Sequence, residues 1–206
     1  MPNHCMNSLQ IQGTPYHIRN FARDHYRKPD NWGDDSPGTD DLKSTLDFSA
    51  SVPLPADKNQ TTFHHAGYDW QCANWGTKWN AYDIIPDTFP KVLKEVEDTE
   101  GLTFSFTTAW SPPSEWLVHA STKYPDLTFT LRYEEPGMAF CGWLVAHRGE
   151  YNDNHLSNYP EALLTPDQLK LLDDEDSWDE AWETLHERVQ EYLGSIPSGD
   201  LTFPTN

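Results

Sequence analysis

The feature that most constrains this chain is a two-residue alternation that recurs in three separate segments. Cys5, Asn7, Leu9 and Ile11 stand on one side of the first, with Met6, Ser8, Gln10 and Gln12 on the other. Leu102, Phe104, Phe106, Thr108 and Trp110 oppose Thr103, Ser105, Thr107 and Ala109 in the second. Leu127, Phe129, Leu131 and Tyr133 oppose Thr128, Thr130, Arg132 and Glu134 in the third. Strand side chains alternate between faces, so each segment reads as a strand with one face in a core and one face polar. That pattern belongs to an antiparallel sheet covered on one side, not to a parallel sheet buried on both. Met138 to His147 is apolar on both faces and is expected inside the sheet, and Trp79 to Ile84 is a shorter candidate strand.

Helices separate these strands. Thr14-Pro15 is an N-cap with proline at the first helical position, followed by Ile18, Phe21, Ala22 and His25 at helical spacing. Ser111-Pro112-Pro113 opens a second helix carrying Leu117, Ala120 and Tyr124, which Pro125 stops. A shorter helix is expected between Pro86 and Gly101. The order is strand, helix, strand, strand, helix, strand, plus one extra strand. This predicts an α+β fold of the ferredoxin-like type, an antiparallel sheet with helices on one face.

Charge divides the chain. Its 206 residues carry 33 acids and 14 bases, a net charge of −19. From Arg148 onward there are 14 acids against 3 bases, a net of −11. The expected organisation is a ferredoxin-like domain over 1–147 with a polar loop insertion at 28–62, then an acidic helical appendage over 148–206. In the appendage, Thr165 and Gln168 form a capping box, as do Ser177 and Glu180. Behind the second box Trp178, Trp182, Leu185, Val189 and Tyr192 form an amphipathic stripe, expected to pack on the domain. Asp173, Asp174, Glu175, Asp176, Asp179, Glu180 and Glu183 crowd its N-terminus, where the helix dipole favours them.

Composition excludes several classes of function. No apolar run approaches the roughly 18 residues of a spanning helix. The acid surplus opposes direct capture of nucleic acid, which needs Lys and Arg. Cys5, Cys72 and Cys141 form no C-x-x-C pair, fit a reducing cytosol, and read as small buried hydrophobes. No phosphate-binding or nucleophile-elbow motif is present.

Pro2-Asn3-His4-Cys5-Met6-Asn7-Ser8-Leu9-Gln10-Ile11-Gln12-Gly13, Trp75-Gly76-Thr77-Lys78-Trp79-Asn80-Ala81 and Phe106-Thr107-Thr108-Ala109-Trp110-Ser111-Pro112-Pro113 are the most distinctive stretches. Together with Tyr133-Glu134-Glu135-Pro136-Gly137, they resemble the YubB-type (Api-like) proteins carried by bacteriophages and plasmids. The resemblance spans about 1–147 and implies a ferredoxin-like domain and a mobile-element protein in a bacterial cytoplasm. It implies no reaction. No cofactor is expected.

Four groups of residues are candidate sites. Trp75, Lys78, Trp79, Trp110 and Trp116 suit an aromatic recess with one cation, or tryptophans that lock a loop onto the second helix. Glu115 and His119, four apart on that helix, are a carboxylate–imidazole pair of the kind that serves as a general base. His64, His65 and Cys72, with Asp69, are the candidate metal ligands, at spacings that match no zinc module. His119-Ala120-Ser121 and His155-Leu156-Ser157 repeat a His-x-Ser triplet, with His155 expected in a loop. The function expected is a non-enzymatic acidic binding protein. Its expected role is counter-defence, occupying a basic nucleic-acid-binding site on a host protein as a DNA mimic. The alternative is a small-ligand site or enzyme near Trp75, Lys78, Glu115 and His119. The sequence leaves the oligomeric state open.

Overall fold

A computed structural model describes residues 3–27, 45–57, 65–85, 101–174 and 177–196. The helix expected between Pro86 and Gly101 and most of the 28–62 insertion lie outside the described residues.

Strands β1 (His4–Gln12), β4 (Tyr82–Ile85), β5 (Gly101–Ala109), β6 (Thr128–Glu135), β7 (Phe140–His147) and β8 (Glu150–Ser157) form one antiparallel sheet. Their spatial order is β4-β5-β1-β6-β7-β8. The first four strands, with helices α1 (Pro15–His25) and α3 (Ser114–Lys123), are the ferredoxin-like unit. Register explains why the three alternating segments agree. Leu9 lies opposite both Phe104 and Leu131, and Ile11 opposite both Leu102 and Phe129. One continuous apolar face results, covered by Ile18, Phe21 and Ala22 of α1 and by Trp116, Leu117 and Ala120 of α3.

Residues 45–54 complete that core. A two-stranded pair, β2 (Tyr26–Arg27) with β3 (Thr45–Leu46), leads into a 3-10 turn at Phe48–Ala50. Leu46 and Phe48 are buried, and the Phe48 ring centroid lies 4.5 Å from that of Trp116. The buried Asp47 carboxylate accepts from the Ser49 amide and hydroxyl and from Asn80 Nδ2, while Asn80 Oδ1 accepts from the Phe48 amide. Helix α2 (His65–Trp75), which hydrophobic spacing does not announce, precedes β4.

The sheet runs past residue 147. Arg148 and Gly149, at φ 53° and 82°, make the two-residue turn that joins β7 to β8. Two positive-φ residues in succession match the strand twist of a tight hairpin. The charge step at Gly149 therefore falls at a hairpin turn, and two strands, not one, extend the ferredoxin-like unit.

After β8 come α4 (Tyr159–Leu163), α5 (Pro166–Leu171) and α6 (Trp178–Gly194). Thr165 caps α5 with the expected box: its hydroxyl accepts from the Gln168 amide, and Gln168 Oε1 accepts from the Thr165 amide. The second box does not form. Ser177 Oγ instead donates to Asp174 Oδ2 at 3.2 Å. Helix α6 buries Leu185, Val189 and Leu193 against Cys141, Tyr159 and Leu164. Cys141 points away from Leu144 and Ala146, which belong to the core under α1 and α3. The appendage thus lies on the opposite face of the sheet, which explains why residues 141–146 are all buried.

The buried line of α6 runs Ala181, Leu185, Val189, Leu193. Trp178 and Trp182 flank it, exposed at 49% and 37%, with ring centroids 5.7 Å apart. The expected stripe therefore holds in its C-terminal half only.

Candidate functional site

Helix α6 covers the β7 side of the sheet's second face and leaves the β5–β1 side open. Between them runs a groove of about 690 Å³. Its floor is the polar half of the alternating pattern: Met6 and Ser8 of β1, Ser105 and Thr107 of β5, Arg132 and Glu134 of β6. Its wall is one edge of α6, with His186, Gln190 and Leu193.

Register brings the floor together. Ser8 lies opposite both Ser105 and Arg132, and Met6 opposite both Thr107 and Glu134. Arg132 is half-buried, and its Nε donates to the Leu193 carbonyl at 2.9 Å, tying the end of α6 to the sheet. No carboxylate stands within ion-pair distance of it among the described residues. Glu134 faces Tyr159, whose phenol is pushed up by burial and by that carboxylate.

The tryptophan group does not form a recess. Trp75 and Trp116 are fully buried in the main core, and Trp75 Nε1 donates to the Val52 carbonyl at 2.9 Å. Lys78 lies 3.9 Å from the centroid of the Trp79 ring, and desolvation pulls its ammonium below the ordinary lysine range. Trp110 is exposed at 41% and holds φ 72° at the end of β5. The 76–79 loop is fastened to the 109–115 corner: Ser111 Oγ donates to the Gly76 carbonyl, and Thr77 Oγ1 to the Ala109 carbonyl. Gly76, at φ 81°, is required there, because a Cβ would meet the Glu115 carboxylate and lie 2.9 Å from the Pro112 carbonyl.

Glu115 and His119 are both exposed, share a cleft of about 300 Å³ with Tyr151 and Asp153, and make no hydrogen bond or ion pair with each other. His64 and the His65 side chain lie outside the described residues. The Cys72 thiol is raised chiefly by burial, and among the described residues no metal-ligating group of three is present. Cys5 and Cys141 are buried, and burial pushes the Cys141 thiol up to about 12, as expected of inert thiols. His155 stands on β8, not in a loop, and bonds Tyr133 and Ser157.

Asp173, Asp174, Asp179, Glu180 and Glu183 are exposed, and Glu175 and Asp176 lie outside the described residues. Glu187 and Glu191 extend the acidic side of α6, and Arg188, its one Lys or Arg, pairs with Glu191 at 2.8 Å.

Residues 74–163 match the family model described as the ferredoxin-like domain in Api92-like proteins. The chain carries an Api-like ferredoxin-like domain. Among solved structures, protein Api92 from Yersinia pseudotuberculosis superposes with a TM-score of 0.46 at 12% identity, over 76% of this chain and 99% of that one. No curated protein matches. Among the described residues no helix is long and apolar enough to cross a membrane. Within the Api-like domain lie Ser105, Thr107, Arg132 and Glu134, whereas His186 and Gln190 come from beyond the matched span. The alternating pattern places Arg132 on the polar face of the sheet. It did not reveal the wall, which depends on how far α6 reaches across that face.

Proposed function

We propose that this protein is a non-enzymatic acidic binding protein of a phage or plasmid. It acts in the bacterial cytoplasm by occupying a basic nucleic-acid-binding surface of a host protein. The observation that carries this reading is the orientation of α6. Its apolar line is spent on the sheet, and Asp179, Glu180, Glu183 and Glu187 face solvent without a cationic partner among the described residues. Such a row presents a phosphate-like charge to a basic groove and speeds encounter with it. The family comparison supports the domain and leaves its role open.

The test is capture from a bacterial lysate at low salt, followed by competition and substitution. A recovered partner is expected to be basic, to bind nucleic acid, and to be displaced by duplex DNA. Its affinity is expected to fall steeply with salt. Replacing Asp179, Glu180, Glu183 and Glu187 by Asn and Gln is expected to weaken it at least tenfold. Unchanged affinity in that variant, or recovery of no basic nucleic-acid-binding protein, overturns the reading.

A second reading, a small-ligand site at Glu115 and His119, rests on the 300 Å³ cleft they share with Tyr151 and Asp153. A thermal-shift screen separates the two, since a specific ligand stabilises by mass action.

A further inference from the structure

The groove under α6 carries an assignment of its own. We propose that it is a binding site for a small organic anion, a carbon body ending in a carboxylate or phosphate, with Arg132 as the anchor. Three observations converge. First, the volume of about 690 Å³ is that of a small-molecule site. Second, Arg132 is the floor's one cation, and it is fixed in place: its Nε is held by the Leu193 carbonyl, which leaves the two Nη groups to approach an oxyanion side by side. In a chain with 33 acids and 14 bases, a half-buried arginine with no carboxylate partner among the described residues is the unusual case. Third, the polar groups around it are uncommitted. The side chains of Ser8, Ser105, Thr107, His186 and Gln190 make no hydrogen bond among the described residues, so they are available to the ligand body.

The geometry also sets the ligand's polarity. Glu134 sits two residues along the same strand from Arg132, about 6.6 Å away by strand rise, on the same face. An anion must therefore enter at the Arg132–Leu193 end, and the end of the ligand beside Glu134 is uncharged or donates hydrogen bonds. Met6, opposite Glu134, and Leu193, beside Arg132, supply apolar contact at the two ends. This assignment is independent of the acidic outer side of α6, because it uses the helix edge that faces the sheet.

Titration calorimetry at fixed ionic strength tests it, with succinate, glycerol 3-phosphate, inorganic phosphate and uncharged glycerol as probes. The proteins are wild type, Arg132→Gln, Ser105→Trp and, as a control with the same charge change, Lys170→Gln on exposed α5. Wild type and Lys170→Gln are expected to bind succinate or glycerol 3-phosphate saturably, with glycerol silent; whichever binds names the terminus. Arg132→Gln is expected to lose affinity at least tenfold. Ser105→Trp, on the exposed floor, leaves Arg132 and its bond to Leu193 in place and is expected to lose binding by filling the groove. It keeps the test decisive if Arg132→Gln loosens α6. The proposal is overturned by absence of saturable binding in wild type or by full binding in Arg132→Gln. Full binding in Ser105→Trp, or inorganic phosphate equalling glycerol 3-phosphate, also overturns it, since the body would then add nothing.

Discussion

The two faces of this sheet are built on different plans. Under α1 and α3 lies a deep aromatic core in which Phe21, Phe48, Trp75, Trp116 and Phe129 are wholly buried and ring edges meet ring faces. Under α6 the buried set is Cys141, Tyr159, Leu164, Leu185, Val189 and Leu193, largely aliphatic, and the Tyr192 hydroxyl beside it, like the Trp116 indole N–H of the first core, is buried with no partner among the described residues. The first face holds the fold. The second holds a helix in place and leaves half of itself open. The contrast suggests that stability and recognition have been given to separate sides, and each side can be broken on its own.

The largest effect is expected from Trp116→Ala. This side chain is fully buried against Phe21, Phe48 and His25, so the cavity should cost about 3–5 kcal/mol. A urea melt followed by tryptophan fluorescence and circular dichroism should show the whole sheet losing stability together. Little change would mean that this face is not the one that holds the fold.

Next is a pH effect that belongs to the same face. His25 is fully buried, stacks on Phe21, and bonds the Phe21 carbonyl through Nδ1 and Ser51 Oγ through Nε2. Burial, aided by Lys123 and opposed by the Phe21 carbonyl, Asp47 and Asp24, lowers it to about 4 from the ordinary 6.5. The unfolded chain therefore takes up a proton that the fold refuses. Stability is full above pH 6.5 and falls as pH drops toward 4, by about 3 kcal/mol at 1.36 kcal/mol per unit. Melts from pH 7 to 4 should show that loss, and His25→Asn should flatten the slope while lowering stability throughout.

Leu185→Ala probes the other face. Expected is a cost of about 2–3 kcal/mol, felt locally. Hydrogen exchange should rise in residues 178–194 while β1, β5 and β6 keep their protection. If the whole sheet exchanges faster, the two cores form one cooperative unit and the contrast is wrong.

How far the sequence could be read follows the same division. The main core was legible because three strands keep period two and their register superposes the apolar faces, as at Leu9 between Phe104 and Leu131. Strand β8 was not. Its residues are nearly all polar because it pairs with β7 on one side and otherwise meets the edges of α3 and α4, so no alternation marks Glu150–Ser157. Helix α2 was hidden in the same way, its small and aromatic residues scattered round the axis. For the site, the alternation assigns Ser8, Ser105, Thr107 and Arg132 to polar faces, but nothing in it says what covers them. Trp75 and Trp116 allowed both a recess and a packed lock, because an aromatic cluster looks alike in composition whether it lines a cavity or fills a core, and their burial selects the packed one.

The smallest effect asks whether a local motif in the appendage can be trusted by its letters. Thr165-Gln168 and Ser177-Glu180 spell the same capping box, yet only the first is closed. Thr165 has extended backbone at φ −71° and ψ 158°, which aims its hydroxyl at the Gln168 amide. Ser177 sits at φ −113° and ψ 0°, outside that geometry, and its hydroxyl turns back to Asp174. Thr165→Ala should therefore cost about 1 kcal/mol, whereas Ser177→Ala should change stability by no more than about 0.5 kcal/mol. Equal losses in thermal melts of the two variants would mean that Ser177 closes its box in solution. In that case the first turn of α6 would be capped like that of α5, and the crowd of acids around it would be held by the helix N-terminus rather than left free to face a partner.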